Sequence, residues 1–401
     1  MNKSLIDYRE IVGDEKIDTI FRKGSAVRNA HIVMVNSTFQ GGGVAEILRA
    51  LIPLLNDAGP GVGWRVVHGS PDFFRVTKRL HNALQGGEID LTKKKKQVYR
   101  RANEEFSKYT HLDNDLVVIH DPQPLPLIEY YGRKQPWIWR CHIDLSNPNE
   151  EVWDYLKRFV LPYDHEVYQM EKFSREGSTH SIIHPSIDPL STKNMELDEK
   201  TKNKYLKKVG VDPKDSRPLI VQVSRFDPWK DPFGVIKVFD LVKEEIDARL
   251  LLVGAFASDD PEAEGVYEGV LHKTKNRDDI ILAPNAHDIA VNAAQRGADV
   301  VLQKSLREGF GLTVSESMWK GTPTIGSNVG GIPAQIEDGE TGYLVDPENH
   351  EEVAKKILDV LNSDSEEIEE MGRKAREKVK KNFLITEQIE KWLDLCGEIL
   401  Q

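Results

Sequence analysis

The sequence predicts an α/β protein built on two doubly wound parallel sheets. Three observations predict it. Short runs rich in β-branched residues recur along the 401 residues, longer helical patterns separate most of them, and the runs fall into two series parted by a polar stretch. The length asks for two or three domains, and 39% hydrophobic content is enough to give each one a core.

The first series is HIVMVNS from His31, WRVVHGS from Trp64, DLVVIHDP from Asp115, PWIWRCHID from Pro136 and HSIIHPSID from His180. Each is short and bounded by turn residues, which suits a strand buried on both faces. The second series is PLIVQVSRF from Pro218, ARLLLVGAF from Ala248, DIILAP from Asp279, ADVVLQKS from Ala298, TPTIGS from Thr322 and TGYLV from Thr341. Strands alternating with helices imply right-handed crossovers, hence two doubly wound sheets. Residues 188–216 lie between the series and lack apolar periodicity until Tyr205 and Leu206, so they read as a hinge followed by a surface helix. Beyond Val345 the chain turns helical, with apolar positions three and four apart in HEEVAKKILDVL, SEEIEEMGRKAREKVKK and ITEQIEKWLDLCGEIL.

Charge and composition exclude several functions. The 54 Lys and Arg against 65 Asp and Glu leave a net charge of -11, which opposes sequence-independent binding to nucleic acid or to an anionic membrane. The basic run KKKKQVYRR, residues 93–101, precedes acidic helix sequence and reads as a solvated helix face. The longest apolar run, Leu250 to Ala257, is far below the ~20 residues that cross a bilayer. The charge-rich first twenty residues have no apolar core of a secretory signal, so a cytoplasmic location is expected. Cys141 and Cys396 have no metal-ligand or disulfide spacing and read as free thiols. The abundance of Lys and Glu leans towards heat-adapted proteins.

Three segments carry groups suited to an anion. Gly41, Gly42 and Gly43 lie between the first strand and an amphipathic helix, where glycine torsions let amides and a helix N-terminus approach a phosphate. Arg225 and Lys230 follow the first strand of the second series, at the carboxyl end where doubly wound folds bind ligands; a guanidinium fork and an ammonium there suit two oxygens of a diphosphate. The third segment, LREGFGLTVSESMWKGTPTIGSNVGGIP, opens a helix near Leu312. The amides of Leu312 and Thr313 would stand at its positive end, Glu316 could accept hydrogen bonds from a ribose diol, and Glu308 is left free to point at a sugar. A second glycine turn, Gly330 and Gly331, completes that segment.

Ser224-Arg225 with Lys230, and Glu308-Gly-Phe-Gly with Glu316, resemble the signature of retaining, glycogen-synthase-like nucleotide-sugar glycosyltransferases. The resemblance implies the GT-B fold, with two Rossmann-like domains facing a cleft: residues 1–188 on the acceptor side, joined by a C-terminal helix 383–401 that crosses back, and residues 189–382 for the donor. It implies that Arg225 and Lys230 bind the donor diphosphate, Glu316 the ribose and Glu308 the donor sugar. IHDPQPLPL from Ile119 resembles a strand end of trehalose-forming transferases and puts Asp121 forward for the acceptor. RCHIDLS from Arg140 resembles one that sets His142 beside the anomeric carbon. With the opening MNKSLIDYREIVG and STFQGGGVAEIL, the chain is most similar to the trehalose glycosyltransferring synthases of heat-loving microbes. That implies transfer of glucose from a nucleoside diphosphate glucose to free glucose, in a possible homodimer, with the nucleotide sugar as substrate and no cofactor.

No nucleophile is evident for a covalent intermediate, and the family resemblance implies attack on the face that the diphosphate leaves. Arg225 and Lys230 would then replace a metal ion; no Asp-x-Asp metal motif appears, and DNDL at Asp113 precedes a strand instead of ending one. A transferase with another acceptor, a nucleotide-sugar epimerase using His142, Asp121 and His184, and a nucleotide-sugar binder without transfer activity remain as alternatives.

Overall fold

The computed structural model describes residues 3–39, 42–132, 134–175, 179–254 and 263–401. They form two compact units, residues 1–185 with 385–401, and residues 186–384.

The first unit carries a six-stranded sheet: β1 (His31–Asn36), β2 (Gly61–Val66), β3 (Leu116–His120), β4 (Trp137–Arg140), β5 (His165–Tyr168) and β6 (His180–Ile182). The order is β2-β1-β3-β4-β5-β6 and every pairing is parallel. Five of these strands are the expected runs, whereas β5 was not expected. Its sequence HEVY offers no apolar run, and only Val167 and Tyr168 are buried. Alternate side chains of the central strands enter opposite layers, so Val33, Val35, Val117 and Ile119 join one core with Trp137, Trp139 and Phe159. The chain leaves β1 for β2 and returns to the other side of β1 as β3, so the order reverses between β1 and β3, where such folds bind ligands.

The last helix, Ile385–Ile399, belongs to this unit and packs against the helix Asp14–Ala26. Ile385, Ile389, Trp392, Leu393, Leu395 and Cys396 are buried along it. Lys23 reaches both Glu390 and Asp394 at 2.7 Å, and Lys16 reaches Glu387 at 2.5 Å. Apolar burial supplies most of the attachment, since half-exposed ion pairs contribute at most ~1 kcal/mol each.

The second unit repeats the plan with β7 (Leu219–Val223), β8 (Arg249–Gly254), β9 (Ile280–Pro284), β10 (Val300–Gln303), β11 (Thr324–Ser327) and β12 (Tyr343–Val345), all parallel, in the order β12-β11-β10-β7-β8-β9. Ile220, Leu250, Leu252, Val300 and Leu302 pack under one helical layer, and Leu219, Val221, Leu251, Val253 and Val301 under the other. Burial on both faces is why these strands read as unbroken apolar runs. The switch in strand order falls between β7 and β10.

The stretch expected as a hinge is fastened to this unit. Asn292 donates to the carbonyls of Thr192 and Met195, Arg296 to those of Asn194 and Met195, and Lys320 Nζ to Asn194 Oδ1 at 2.9 Å. A helix, Glu199–Lys208, then follows and buries Leu206. The basic run lies in the helix Lys93–Ser107, which buries Tyr99, Asn103 and Phe106 and turns its charges outward. Among the described residues no helix is long and apolar enough to cross a membrane.

Candidate active site

In the second unit the site grows from the carboxyl ends of β7 and β10. Past β7 the chain turns through Asp227, whose Oδ1 accepts the Trp229 amide at 2.8 Å and starts the 3-10 turn Pro228–Lys230. Asp231 then adopts φ +43° and caps the helix Pro232–Lys243 by accepting the Gly234 amide at 3.0 Å. Lys230 is thereby held between two capping aspartates. Buried Gln222 ties this turn to the loop after β10: its Nε2 donates to the Lys230 carbonyl at 2.9 Å and its Oε1 accepts the Lys304 amide at 3.1 Å. Beneath them, fully buried Lys304 pairs with Asp231.

Arg225 and Lys230 do follow one strand end, and each already has a carboxylate. Arg225 Nη2 lies 3.2 Å from Asp227 Oδ2, and Lys230 Nζ lies 2.5 Å from Glu308 Oε2. The expectation that Glu308 is free is corrected here: its carboxylate is held by Lys230 because β7 and β10 are neighbours across the switch point.

Gly311, at φ +83°, stands before the helix Leu312–Trp319, so Leu312 and Thr313 occupy its first two positions, where amides have no acceptor within the helix. Thr313 Oγ1 donates to Gln303 Oε1 at 2.9 Å, and Gln335 Nε2 donates to the Phe310 carbonyl at 2.5 Å, which fixes the helix start on its sheet. The second glycine turn, Gly330 and Gly331, packs against the loop that carries Glu308. A Cβ on Gly330 would lie 1.5 Å from the Glu308 carbonyl oxygen, and one on Gly331 2.7 Å from that of Gly309. These glycines let the two loops abut and so set the position of Glu308.

Glu316 is 1% exposed. Its Oε1 faces Lys193 Nζ at 3.4 Å, while its buried Oε2 has no hydrogen-bond partner among the described residues. Lys320 Nζ donates to the Glu316 carbonyl at 3.0 Å, and burial pulls that ammonium down to about 7 against the opposing pull of Glu316. Sequence reading missed Lys193, Asn194 and Lys320, which acquire meaning only once residues 186–197 lie against this helix.

In the first unit, β3 and β4 end side by side. Asp121 follows β3 with φ +63°, accepts the His142 amide on Oδ1 at 2.7 Å, and is 8% exposed. Burial drives its carboxyl up to about 7, opposed by that hydrogen bond and by Arg140. His142 follows β4, and its ring lies edge to edge with that of His120, 18° between the planes, with Nε2 3.0 Å from His120 Nδ1. Burial, then the Arg140 guanidinium, lowers both imidazoles: His120 to about 3, His142 well below its ordinary value. Arg140 is wholly buried and donates to the carbonyls of Tyr168 and Ile183. Asp121 and His142 are therefore brought together, whereas His184 binds the Gln169 carbonyl through Nδ1 at 2.7 Å.

Gly42, at φ +85°, and Gly43 lie exposed at the start of the helix Gly43–Ala58, beyond β1; Gly41 lies outside the described residues. Asp115 of the DNDL run accepts the His31 amide at 2.7 Å, at the amino end of the sheet and away from these groups. Cys141 and Cys396 are free and buried.

Residues 34–175 match the family model described as trehalose synthase, N-terminal domain, and residues 204–378 match glycosyl transferases group 1. The chain is 49% identical over 404 residues to the trehalose synthase of Thermococcus litoralis, covering 98% of this chain and 97% of that protein. It is 43% identical over 414 residues to the trehalose synthase of Rubrobacter xylanophilus, covering 100% and 98%. Among solved structures, an alpha,alpha-trehalose-phosphate synthase (UDP-forming) from Burkholderia xenovorans, in complex with glucose-6-phosphate, matches with a TM-score of 0.72 at 16% identity, covering 92% of this chain and 100% of that one. At that identity the likeness is one of fold, and the fold is GT-B.

Proposed function

We propose that this chain, which belongs to the trehalose synthase family of glycosyl transferases, moves glucose from a nucleoside diphosphate glucose to free glucose with retention, forming α,α-trehalose. The observation that carries the donor half of this reading is Glu316 Oε2, a buried carboxylate oxygen near a helix N-terminus that has no hydrogen-bond partner among the described residues. A buried acceptor left unmet costs about 1–3 kcal/mol, and a ribose diol supplies the hydrogens it lacks. Trehalose synthase relatives spanning nearly the whole chain support the sugar product.

In this mechanism Arg225 and Lys230 take the diphosphate, helped by the amides of Leu312 and Thr313. Lys230 exchanges its carboxylate for phosphate oxygens, which frees Glu308 to accept hydrogen bonds from hydroxyls of the donor glucose. As the anomeric C–O bond breaks, the departing phosphate takes the proton of the incoming glucose hydroxyl on the same face. The two cations stabilise the charge that builds on it, a role worth roughly 100-fold or more in rate for a well-placed group. No metal or other cofactor enters this reading. Asp121 hydrogen-bonds a hydroxyl of the glucose acceptor.

The test offers the purified protein a set of nucleoside diphosphate glucoses with glucose and with glucose 6-phosphate, and measures nucleoside diphosphate release and product. The proposal expects release dependent on glucose and a non-reducing, unphosphorylated disaccharide. A phosphorylated or reducing disaccharide overturns the acceptor assignment. A new nucleotide sugar formed without acceptor identifies an epimerase, and neither reaction identifies a binder.

A further inference from the structure

The contact between the two histidine rings restricts what His142 can do. Two neutral imidazole nitrogens 3.0 Å apart require one donor and one acceptor, so the pair has two possible arrangements. If His142 donated from Nε2, His120 would carry its proton on its own Nε2. That atom is buried and has no hydrogen-bond partner among the described residues. The arrangement would bury an unmet N–H in a site where Arg140, in register with His120 on the neighbouring strand, already presents a positive guanidinium. If His120 donates from Nδ1 instead, its Nε2 is a bare lone pair, the form favoured beside that cation.

The His142 backbone is pinned on both sides. Its amide donates to Asp121 Oδ1 at 2.7 Å, and its carbonyl accepts Gln169 Nε2 at 3.0 Å, while Gln169 is itself engaged by His184. Trp139 Nε1 in turn holds the Asp121 carbonyl at 3.1 Å. With the main chain fixed, the remaining variables are the ring's orientation and the nitrogen that carries its proton, and the His120 contact sets both.

The geometry points to His120 as the positioning residue that holds His142 as the neutral Nδ1–H tautomer, so that His142 offers a sugar hydroxyl a hydrogen-bond donor and has no free lone pair at Nε2 to act as a base. This assignment rests on the proposed function for the identity of the sugar, but not for the tautomer. Burial lowers the basicity of both rings in the same sense, which keeps the pair neutral.

The test labels the full-length protein with imidazole-15N histidine and identifies the His142 signals by their loss in His142→Gln. The proposal expects a pyrrole-like Nδ1 and a pyridine-like Nε2 for His142. His120→Asn, whose amide Nδ2–H stands near the place of the imidazole Nδ1, should keep that pattern and most of the turnover. His120→Leu should mix the tautomers and lower kcat about tenfold, the scale of one hydrogen bond, with the donor KM little changed. A wild-type His142 protonated on Nε2 overturns the proposal, as does an unchanged tautomer in a folded His120→Leu. The expected tautomer in a protein that transfers no glucose would instead refute the proposed function and leave this inference standing.

Discussion

Replacing Gly330 by Ala isolates the role of the second glycine turn. Its φ of +54° costs an L-residue about 1 kcal/mol, as does the +77° of Gly339. The surroundings differ: nothing lies within 4 Å of a Cβ at Gly339, whereas one at Gly330 meets the Glu308 carbonyl oxygen at 1.5 Å. Ordinary contact is about 3.5 Å, so roughly 2 Å must be found by movement. The turn can yield little of it, because Asn328 is bonded to the Val345 carbonyl at 2.8 Å at the end of the sheet. Glu308 must therefore shift, and with it the ion pair to Lys230. A misplacement of ~1 Å in a reacting group costs about 100-fold in rate, and overpacking adds ~1–3 kcal/mol to the loss of stability. Gly339→Ala should lower the melting temperature of its unit by a few degrees and leave glucose transfer intact. Gly330→Ala should lower it further and reduce kcat/KM about 100-fold. Equal kinetics in the two folded variants would refute the reasoning.

Arg225→Ala and Lys230→Ala should each lower turnover about 100-fold or more in folded protein, measured as nucleoside diphosphate release; near-normal rates in both would remove the diphosphate clamp. Transfer should survive exhaustive chelation, and loss restored by magnesium or manganese would reassign the charge neutralisation. Truncation after Leu384 strips at least five large buried side chains from the first unit, about 10 kcal/mol of apolar burial, so limited proteolysis should cut that unit first; resistance equal to the full chain would contradict the packing of the last helix. Asp121 binds more protons folded than unfolded between its ordinary 3.8 and about 7, so its contribution to stability falls as pH rises through that window. Asp121→Asn should flatten this fall in urea titrations and weaken glucose binding more than donor binding; an unchanged pH profile would show that the carboxyl is not held protonated.

The strands of the second unit were legible because both faces of its sheet are covered, which leaves runs such as LLLV at residues 250–253. HEVY at β5 was not, since a four-residue strand with two polar members has no period to detect. Arg225, Lys230, Glu308 and Glu316 could be picked out by residue type and by their distance from strand ends. What they touch could not, because the Lys230–Glu308 pair depends on β7 lying beside β10, a fact of topology. Likewise Lys193 sits in a segment without apolar pattern, and the His120–His142 contact needs β3 beside β4. Gly330 and Gly331 show the limit of motif reading: the residue type was informative, but the need it meets is clearance for a neighbouring loop.

The two candidate clusters, one in each unit, handle charge in opposite ways. In the second unit the ionised groups are neutralised in pairs, Arg225 with Asp227 and Lys230 with Glu308. In the first, burial holds two imidazoles neutral and raises a carboxyl towards neutrality. Pairing suits a site whose proposed ligand is an anion, because a diphosphate can replace Glu308 on Lys230 without an ammonium having been left unpaired in the meantime. The exchange has a cost, since Glu308 loses a charge-assisted contact and must regain hydrogen bonds elsewhere. Donor hydroxyls would restore them only when the sugar is attached to the diphosphate. A free nucleoside diphosphate would take Lys230 and leave Glu308 uncompensated, and so should bind less well than its contacts to the cations suggest. Under the proposed function, this exchange would favour loading of the intact donor and release of the spent nucleotide.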